Sequence, residues 1–226
     1  MKATRIFLFA AATAVAVACG KDSSTEPATG SGPTPIVYTL TVDTLLPDTA
    51  TAVVARQVPV RVQVTKAGAV VPSGTVTWKV TTGGGTVSSA TSTTDANGYA
   101  SVVWTLGDTT GYQSLGISAF DASAGYTALG TADTPTNLLR VSSDSALVVS
   151  GASLPLSVRA TDRLGNGATG ADVTWSATGG QIVLTTTPAG ATGGATTVFT
   201  TTTAGTYIVT ATLPGHASIS FTVVAL

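Results

Sequence analysis

The feature that most constrains the fold is an internal repeat of about 95 residues after residue 35. The segment VPVRV at 58–62 returns as LPLSV at 154–158, an offset of 96 residues, and VTW at 76–78 returns at 173–175. Two further pairs keep the order: Gly98 and Trp104 match Gly193 and Phe199, and Gly111 and Leu115 match Gly205 and Val209. Four anchors in one order predict two modules, each close to the ~100 residues typical of a β-sandwich.

Short runs in both modules alternate apolar and polar residues. Val58, Val60, Val62 and Val64 take every second position, as do Val76, Trp78 and Val80. This period of two is typical of half-buried strands. Breaks rich in Gly separate the runs and are typical of turns; they are Gly83-Gly84-Gly85, Asn97-Gly98, Gly179-Gly180 and Gly193-Gly194. The pattern predicts an all-β fold.

The segment TTDANGYASVVWTLG at 93–107, followed by Gly111, resembles the bacterial Ig-like repeat of the invasin/intimin type, group 1. That repeat carries a T-D-x-x-G-x-A turn before a core strand, and a V-x-W strand like the one at 76–78. The resemblance covers a first module at 36–133. A second module at 137–226 is a diverged copy, with Gly190 in the place of Asp95. The resemblance implies two tandem Ig-like β-sandwiches of the kind used in surface spacers and adhesins, without catalysis.

The N-terminus has the three parts of a secretory signal. Lys2 and Arg5 precede an apolar run from Ile6 to Ala18, which ends in Ala16-Val17-Ala18. The run is 13 residues long, whereas a helix that spans a bilayer needs ~20. We therefore expect a signal peptide at 1–18.

Cys19 has two interpretations. Ala-Val-Ala-Cys resembles the bacterial lipoprotein signal, which implies cleavage before Cys19 and its acylation, although the usual large aliphatic residue is here Ala16. An ordinary signal peptidase would also accept Ala16-x-Ala18. Because Cys19 is the single Cys of the chain, we favour lipidation, and Gly20 in place of Asp implies the outer membrane. Residues 19–35 are rich in Ser, Thr, Pro and Gly and predict a flexible, lipid-anchored linker.

Composition excludes several classes of function. Charged residues make up only 9% of the chain and the net charge is −1, so no basic surface is available for nucleic acid. One His and one Cys leave little for acid–base, nucleophilic or zinc chemistry. We therefore expect no enzyme activity, catalytic residue, cofactor or metal.

Four features of the sequence are candidates for a metal site, a catalytic residue or a covalent cross-link. Asp95-Ala96-Asn97-Gly98 contains D-x-N-G, but Leu106 stands where a calcium loop needs an acid, so we expect an Asx turn. Asp133 lies in the inter-module segment, which we interpret as a Pro-stiffened hinge rather than a calcium site. His216 is expected in an exposed hairpin turn. Lys66 and Lys79 are expected to point outward, which disfavours an isopeptide bond with an Asn.

The Trp of each V-T-W strand is predicted to be a core residue, held by aliphatic packing alone because neither module has a Cys. Thr-rich strands and the Tyr residues Tyr112 and Tyr126, both expected to be exposed, are candidate contact surfaces for an unknown protein or glycan ligand.

We predict a non-enzymatic cell-envelope lipoprotein that presents its modules as a spacer or adhesion element. The alternative is a carbohydrate- or peptidoglycan-binding accessory module, which would need an exposed aromatic platform. Which side of the outer membrane it faces stays open.

Overall fold

The computed structural model describes residues 37–226, except 44–46 and 48. The predicted signal peptide at 1–18, Cys19 and the linker at 19–35 lie outside the described residues. Every regular element in the described part is a β-strand, and none of it is a helix long and apolar enough to cross a bilayer. The predicted all-β class with Ig-like sandwiches is confirmed.

The first sandwich consists of ten strands, which are β1 (Tyr38–Val42), β2 (Thr49–Val53), β3 (Gln57–Lys66), β4 (Ala69–Val70), β5 (Thr75–Thr82), β6 (Gly85–Val87), β7 (Thr91–Thr93), β8 (Tyr99–Leu106), β9 (Gly111–Ala119) and β10 (Ala122–Thr131). One sheet has the order β1-β3-β8-β6, with β4 paired to β3, and the other has the order β2-β10-β9-β5-β7. Pairing is antiparallel except between β2 and β10, which run parallel.

The second sandwich consists of nine strands, which are β11 (Asn137–Arg140), β12 (Ser145–Val148), β13 (Ser153–Thr161), β14 (Asp172–Ala177), β15 (Gln181–Ile182), β16 (Thr186–Pro188), β17 (Gly194–Thr200), β18 (Gly205–Thr212) and β19 (Ser218–Ala225). Its sheets have the orders β11-β13-β17-β15 and β12-β19-β18-β14-β16, and β12 runs parallel to β19. The sequence repeat is thus a repeat of topology, strand for strand apart from β4. We predict that residues 36–133 and 137–226 each fold alone, because each half carries both of its sheets.

Each sandwich encloses its own apolar core between its two sheets. The predicted core residues Trp78 and Trp175 are buried, and Trp104 and Phe199 fill equivalent positions with no exposed surface. The expectation that aliphatic packing alone holds the first pair was wrong, because each indole Nε1 also donates a hydrogen bond. The acceptors, each at 2.8 Å, are Ser92 Oγ for Trp78 and Thr187 Oγ1 for Trp175. A hydroxyl on the neighbouring strand thus satisfies the polar edge of the ring.

Candidate functional site

One side chain, that of Asn166, reaches across the junction between the two sandwiches. Asn166 lies in the turn after β13 of the second sandwich. Its Nδ2 donates to the backbone carbonyl of Asp108 at 2.7 Å, and its Oδ1 accepts from the backbone N–H of Thr110 at 3.2 Å. Asp108 and Thr110 belong to the loop between β8 and β9 of the first sandwich. One amide therefore pairs with a donor and an acceptor of the other sandwich at the same time.

A buried carboxylate holds Asn166 in place. Asp162 has 0% of its surface exposed, and its Oδ1 accepts the backbone N–H groups of Leu164 and Asn166, each at 2.9 Å. Its Oδ2 accepts from Asn166 Nδ2 at 3.2 Å and from the N–H of Asp133, in the inter-sandwich segment, at 3.1 Å. Burial by itself raises the pKa of Asp162, but these hydrogen bonds outweigh it and hold the pKa below its ordinary value.

The turn around Asp162 is an Asx turn, closed by Gly165 with a positive φ of 87°. It has the same hydrogen bonds as the turn predicted at Asp95, where Oδ1 accepts the N–H groups of Asn97 and Tyr99 at 2.8 and 2.9 Å. The prediction at Asp95 is thus confirmed. The turn at Asp162 was missed, although it carries the same T-D-x-x-G signal at residues 161–165.

At the third turn of this kind, Gly190 replaces the Asp. The N–H of Gly190 donates to the carbonyl of Gly194 at 2.9 Å, and the N–H of Gly193 donates to the carbonyl of Gly190 at 2.8 Å. The same backbone bonds join Asp95 to Tyr99 and Gly98 to Asp95. The second module thus keeps the turn of the first without its carboxylate, as a diverged copy would.

The receiving loop of the first sandwich is held from inside by a buried glutamine. Gln113 Oε1 accepts the N–H of Gly107 at 2.7 Å, and its Nε2 donates to the carbonyl of Thr109 at 3.0 Å. Because Gln113 lies on β9, the loop is tied to a central strand of its own sheet. Each partner at the junction is therefore held by hydrogen bonds within its own sandwich.

The inter-sandwich segment is tied down rather than free to swing. The N–H of Asp133 binds Asp162, and the N–H of Thr136 donates to the carbonyl of Thr161 at 2.9 Å. Arg56 lies 4.0 Å from the carboxylate of Asp133. The interpretation of a hinge stiffened only by Pro135 was therefore wrong. A cleft of about 590 Å³ remains beside the segment.

Metal ligation has little support at these acids. In the described part of the chain, no group of three or more His, Cys, Asp or Glu residues is placed to hold an ion. The oxygens of Asp162 already accept backbone and amide hydrogens. Asp95 and Asp133 thus do not belong to a cluster of the several carboxylates that calcium prefers.

The remaining polar candidates lie on the surface. His216 is exposed in a turn in which its N–H donates to the carbonyl of Leu213 at 3.0 Å, as predicted. Lys66 and Lys79 are exposed, so both predicted outward orientations are confirmed. A Thr-rich cleft of about 530 Å³ is lined by Tyr207 and residues 200–203, and the Tyr207 hydroxyl donates to the carbonyl of Thr203 at 2.9 Å.

One of the two tyrosines predicted to be exposed is buried. Tyr112 is 71% exposed, but Tyr126 is only 3% exposed because β10 alternates and turns this side chain into the core. The Tyr126 hydroxyl donates to the carbonyl of Pro47 at 3.1 Å, and burial raises its pKa. Among the described aromatic residues, the markedly exposed ones are Tyr112 and Phe120, at opposite ends of β9. They form no common platform on a sheet face.

The comparisons with known proteins agree with this architecture. The family model of the bacterial Ig-like domain (group 1) matches residues 138–225, so the resemblance seen in the sequence is confirmed. The match falls on the second module, although the quoted motif at 93–107 lies in the first. No curated protein matches the sequence significantly.

Several solved structures are similar to this chain. The Escherichia coli adhesin FdeC is 20% identical with a TM-score of 0.55, over 85% of this chain and 65% of the adhesin chain. The D0-D1 domain of intimin is 16% identical (TM-score 0.35; 82% of this chain, 98% of that one). Invasin, an integrin-binding protein, is 21% identical (TM-score 0.39; 84% and 40%). The likeness to the FdeC adhesin, at 20% identity, concerns the fold alone.

Proposed function

We propose that this chain, whose residues 138–225 match the bacterial Ig-like domain of group 1, is a non-enzymatic cell-envelope lipoprotein. Acylated Cys19 would hold it in the outer membrane, and its two sandwiches would act as a structural spacer or adhesion element. The observation that carries the proposal is the junction, where Asn166 binds both Asp108 and Thr110. A spacer must keep its modules aligned, and a joint with fixed polar partners on both sides does so.

The surface suits presentation better than chemistry. Formal charges are few, and neighbouring outward residues pair their hydroxyls, as Thr210 does with Ser220 at 3.1 Å and Thr212 with Ser218 at 3.0 Å. Thr is a good strand former that keeps an uncharged sheet soluble. Among the described residues, no group of three or more His, Cys, Asp or Glu is placed to hold a metal ion.

The alternative, a carbohydrate- or peptidoglycan-binding module, has less support. Such a module needs several exposed aromatic rings side by side on a sheet face. Tyr112 and Phe120 lie far apart, and the ring beside Phe120, that of Tyr38, is half-buried and stacked against it with centroids 4.1 Å apart. The Thr-rich cleft at Tyr207 offers hydroxyls, but the Tyr207 hydroxyl is bonded to Thr203 and Thr201 within the cleft. We therefore keep the spacer or adhesion function as the proposal, with the ligand left as an unidentified protein or glycan.

The anchor is tested by expressing the full chain in a diderm bacterium and fractionating the cells. Wild type should sediment with the outer membrane and carry an acyl mass increment on Cys19, and Cys19→Ala should appear in the soluble fraction. Ser23→Ala, in the same predicted linker, is the matched control and should stay with the membrane. Membrane association of Cys19→Ala equal to that of wild type, or an unmodified Cys19, would contradict the proposal.

A further inference from the structure

The hairpin between β9 and β10 closes on an unusual residue. Two residues, Phe120 and Asp121, join the paired ends Ala119 and Ala122. Phe120 has a positive φ of 55° and is 56% exposed. The first position of such a two-residue loop, when it needs a positive φ, is usually Gly, because a side chain is strained there.

The large side chain of Phe120 makes its strained backbone conformation notable. Four described residues other than Gly have a positive φ, and the other three are the small residues Ala55, Ala67 and Ser73. Strained residues persist where they are useful, and they concentrate at sites of function. An exposed aromatic ring held at the tip of a hairpin is therefore a candidate contact surface.

Phe120 belongs to a small amphipathic surface at the end of the sandwich where the chain enters. Its ring stacks on Tyr38, with centroids 4.1 Å apart and planes 13° apart, and Lys66 Nζ lies 5.5 Å from the Tyr38 ring centroid. Val37 is exposed, and its carbonyl accepts the N–H of Ala67 at 3.1 Å. We call Val37, Tyr38, Lys66 and Phe120 the proximal patch.

We propose that the proximal patch docks the first sandwich on the surface of a lipid bilayer. Aromatic rings and the long stem of a Lys are the side chains that settle between headgroups and acyl chains. This inference rests on the proposed lipid anchor at Cys19. The 18 residues at 19–36 cannot separate the anchor from Val37 by more than ~65 Å, and Val37 itself belongs to the patch.

Charge contributes little to this docking. The exposed Asp121 beside Phe120 offsets Lys66, so the patch has no excess of positive charge to recruit anionic lipid. Burial of the Phe120 and Val37 side chains is the driving term, and the contact should form on zwitterionic phosphatidylcholine.

The chain supplies its own control at the far end of the same strand. Tyr112 is 71% exposed on β9, which is nine residues long and so separates it from Phe120 by roughly 25–30 Å. Both positions thus carry an exposed aromatic ring, one on β9 and one in the loop that follows it, whereas the distance from Val37 differs. A docked proximal patch places residue 120 in the bilayer surface and residue 112 in water.

The test uses the chain from Cys19 onward, with a lipid coupled to Cys19 through a maleimide. Phe120→Trp and Tyr112→Trp are each bound to phosphatidylcholine vesicles with or without brominated acyl chains, which quench nearby indoles. The native Trp78, Trp104 and Trp175 are buried and give the same background in both variants. Circular dichroism confirms that each variant is folded.

We expect brominated lipid to reduce the fluorescence added by Trp at 120, and vesicles to shift that emission to the blue, with neither change at 112. Equal quenching at both positions, or none at 120, would overturn the proposal. So would a need for anionic lipid. Because the lipid is attached chemically, the outcome does not depend on whether cells acylate Cys19, which the fractionation tests separately.

Discussion

Asn166 donates a 2.7 Å hydrogen bond to the carbonyl of Asp108, which lies 58 residues earlier in the chain and in the other sandwich. The same Asn166 also contacts Asp162, which binds the inter-sandwich segment through the N–H of Asp133. Turn, segment and receiving loop thus form one hydrogen-bonded unit.

Removing the bridging amide should loosen the junction and leave both sandwiches folded. In Asn166→Ala, two hydrogen bonds across the junction are lost, and the N–H of Thr110 loses its partner. We expect residual dipolar couplings to require different alignment tensors for the two sandwiches, where wild type fits one. Asn97→Ala, in the exposed Asx turn at Asp95 of the first sandwich, is the control and should behave as wild type. A single shared tensor in Asn166→Ala would refute the role given to this residue.

The two Asx turns should differ in what their carboxylates contribute. Asp162→Asn replaces a buried acceptor of four N–H donors and should lower the free energy of unfolding by about 2 kcal/mol. Asp95→Asn changes an exposed carboxylate with two backbone donors, and we expect a loss of about 0.5–1 kcal/mol. Urea denaturation measures both. Equal losses would show that burial at the junction adds nothing.

Acid should weaken the second sandwich through Asp162. Because its pKa in the folded protein is lowered, its contribution to stability is complete above the unfolded-state pKa of about 3.9. That contribution is lost as the pH falls from this value through the folded-state pKa. We expect the unfolding free energy to decline below about pH 4, and Asp162→Asn to flatten the decline. A variant with the same acid dependence as wild type would assign the decline to other groups.

Replacement by Phe should change the free energy of unfolding by different amounts at two buried indoles. Trp104 Nε1 has no hydrogen-bond partner among the described residues, so Trp104→Phe removes an unsatisfied donor along with some packing. We expect its stability to change by no more than about 1 kcal/mol, since Phe199 fills the equivalent position. Trp78→Phe loses the bond to Ser92 and should cost about 2 kcal/mol. Chemical denaturation that ranks the two the other way would contradict this.

Calcium should not stabilise the protein. Binding to the folded state at 100 times Kd would add about 2.7 kcal/mol, which thermal melting detects easily. We expect the same melting temperature in EDTA and in millimolar calcium, because no carboxylate cluster is present among the described residues. A rise of several degrees with calcium would instead indicate an ion site at the junction.

Much of the fold could be predicted because strands and turns depend on patterns among neighbouring residues. The alternation in β3 and the Asp95 turn each depend on a few adjacent residues. Tyr126 was misjudged because its orientation depends on the register of β10, which no neighbouring motif fixes. The junction could not be predicted in full, since Asn166 binds backbone groups of a distant loop that carry no side-chain signature. The turn that holds it could have been found, because 161–165 repeats the T-D-x-x-G of 94–98.

The parallel pairing of β2 with β10 and of β12 with β19 decides how each sandwich carries tension. A pull on the two ends of the second sandwich draws β19 one way and β12 the other, along the strand axis. The hydrogen bonds between Ser145–Val148 and their partners are then loaded in shear and have to rupture together rather than unzip singly. Along this axis the second sandwich should therefore resist force better than in a direction that opens the ladder one bond at a time.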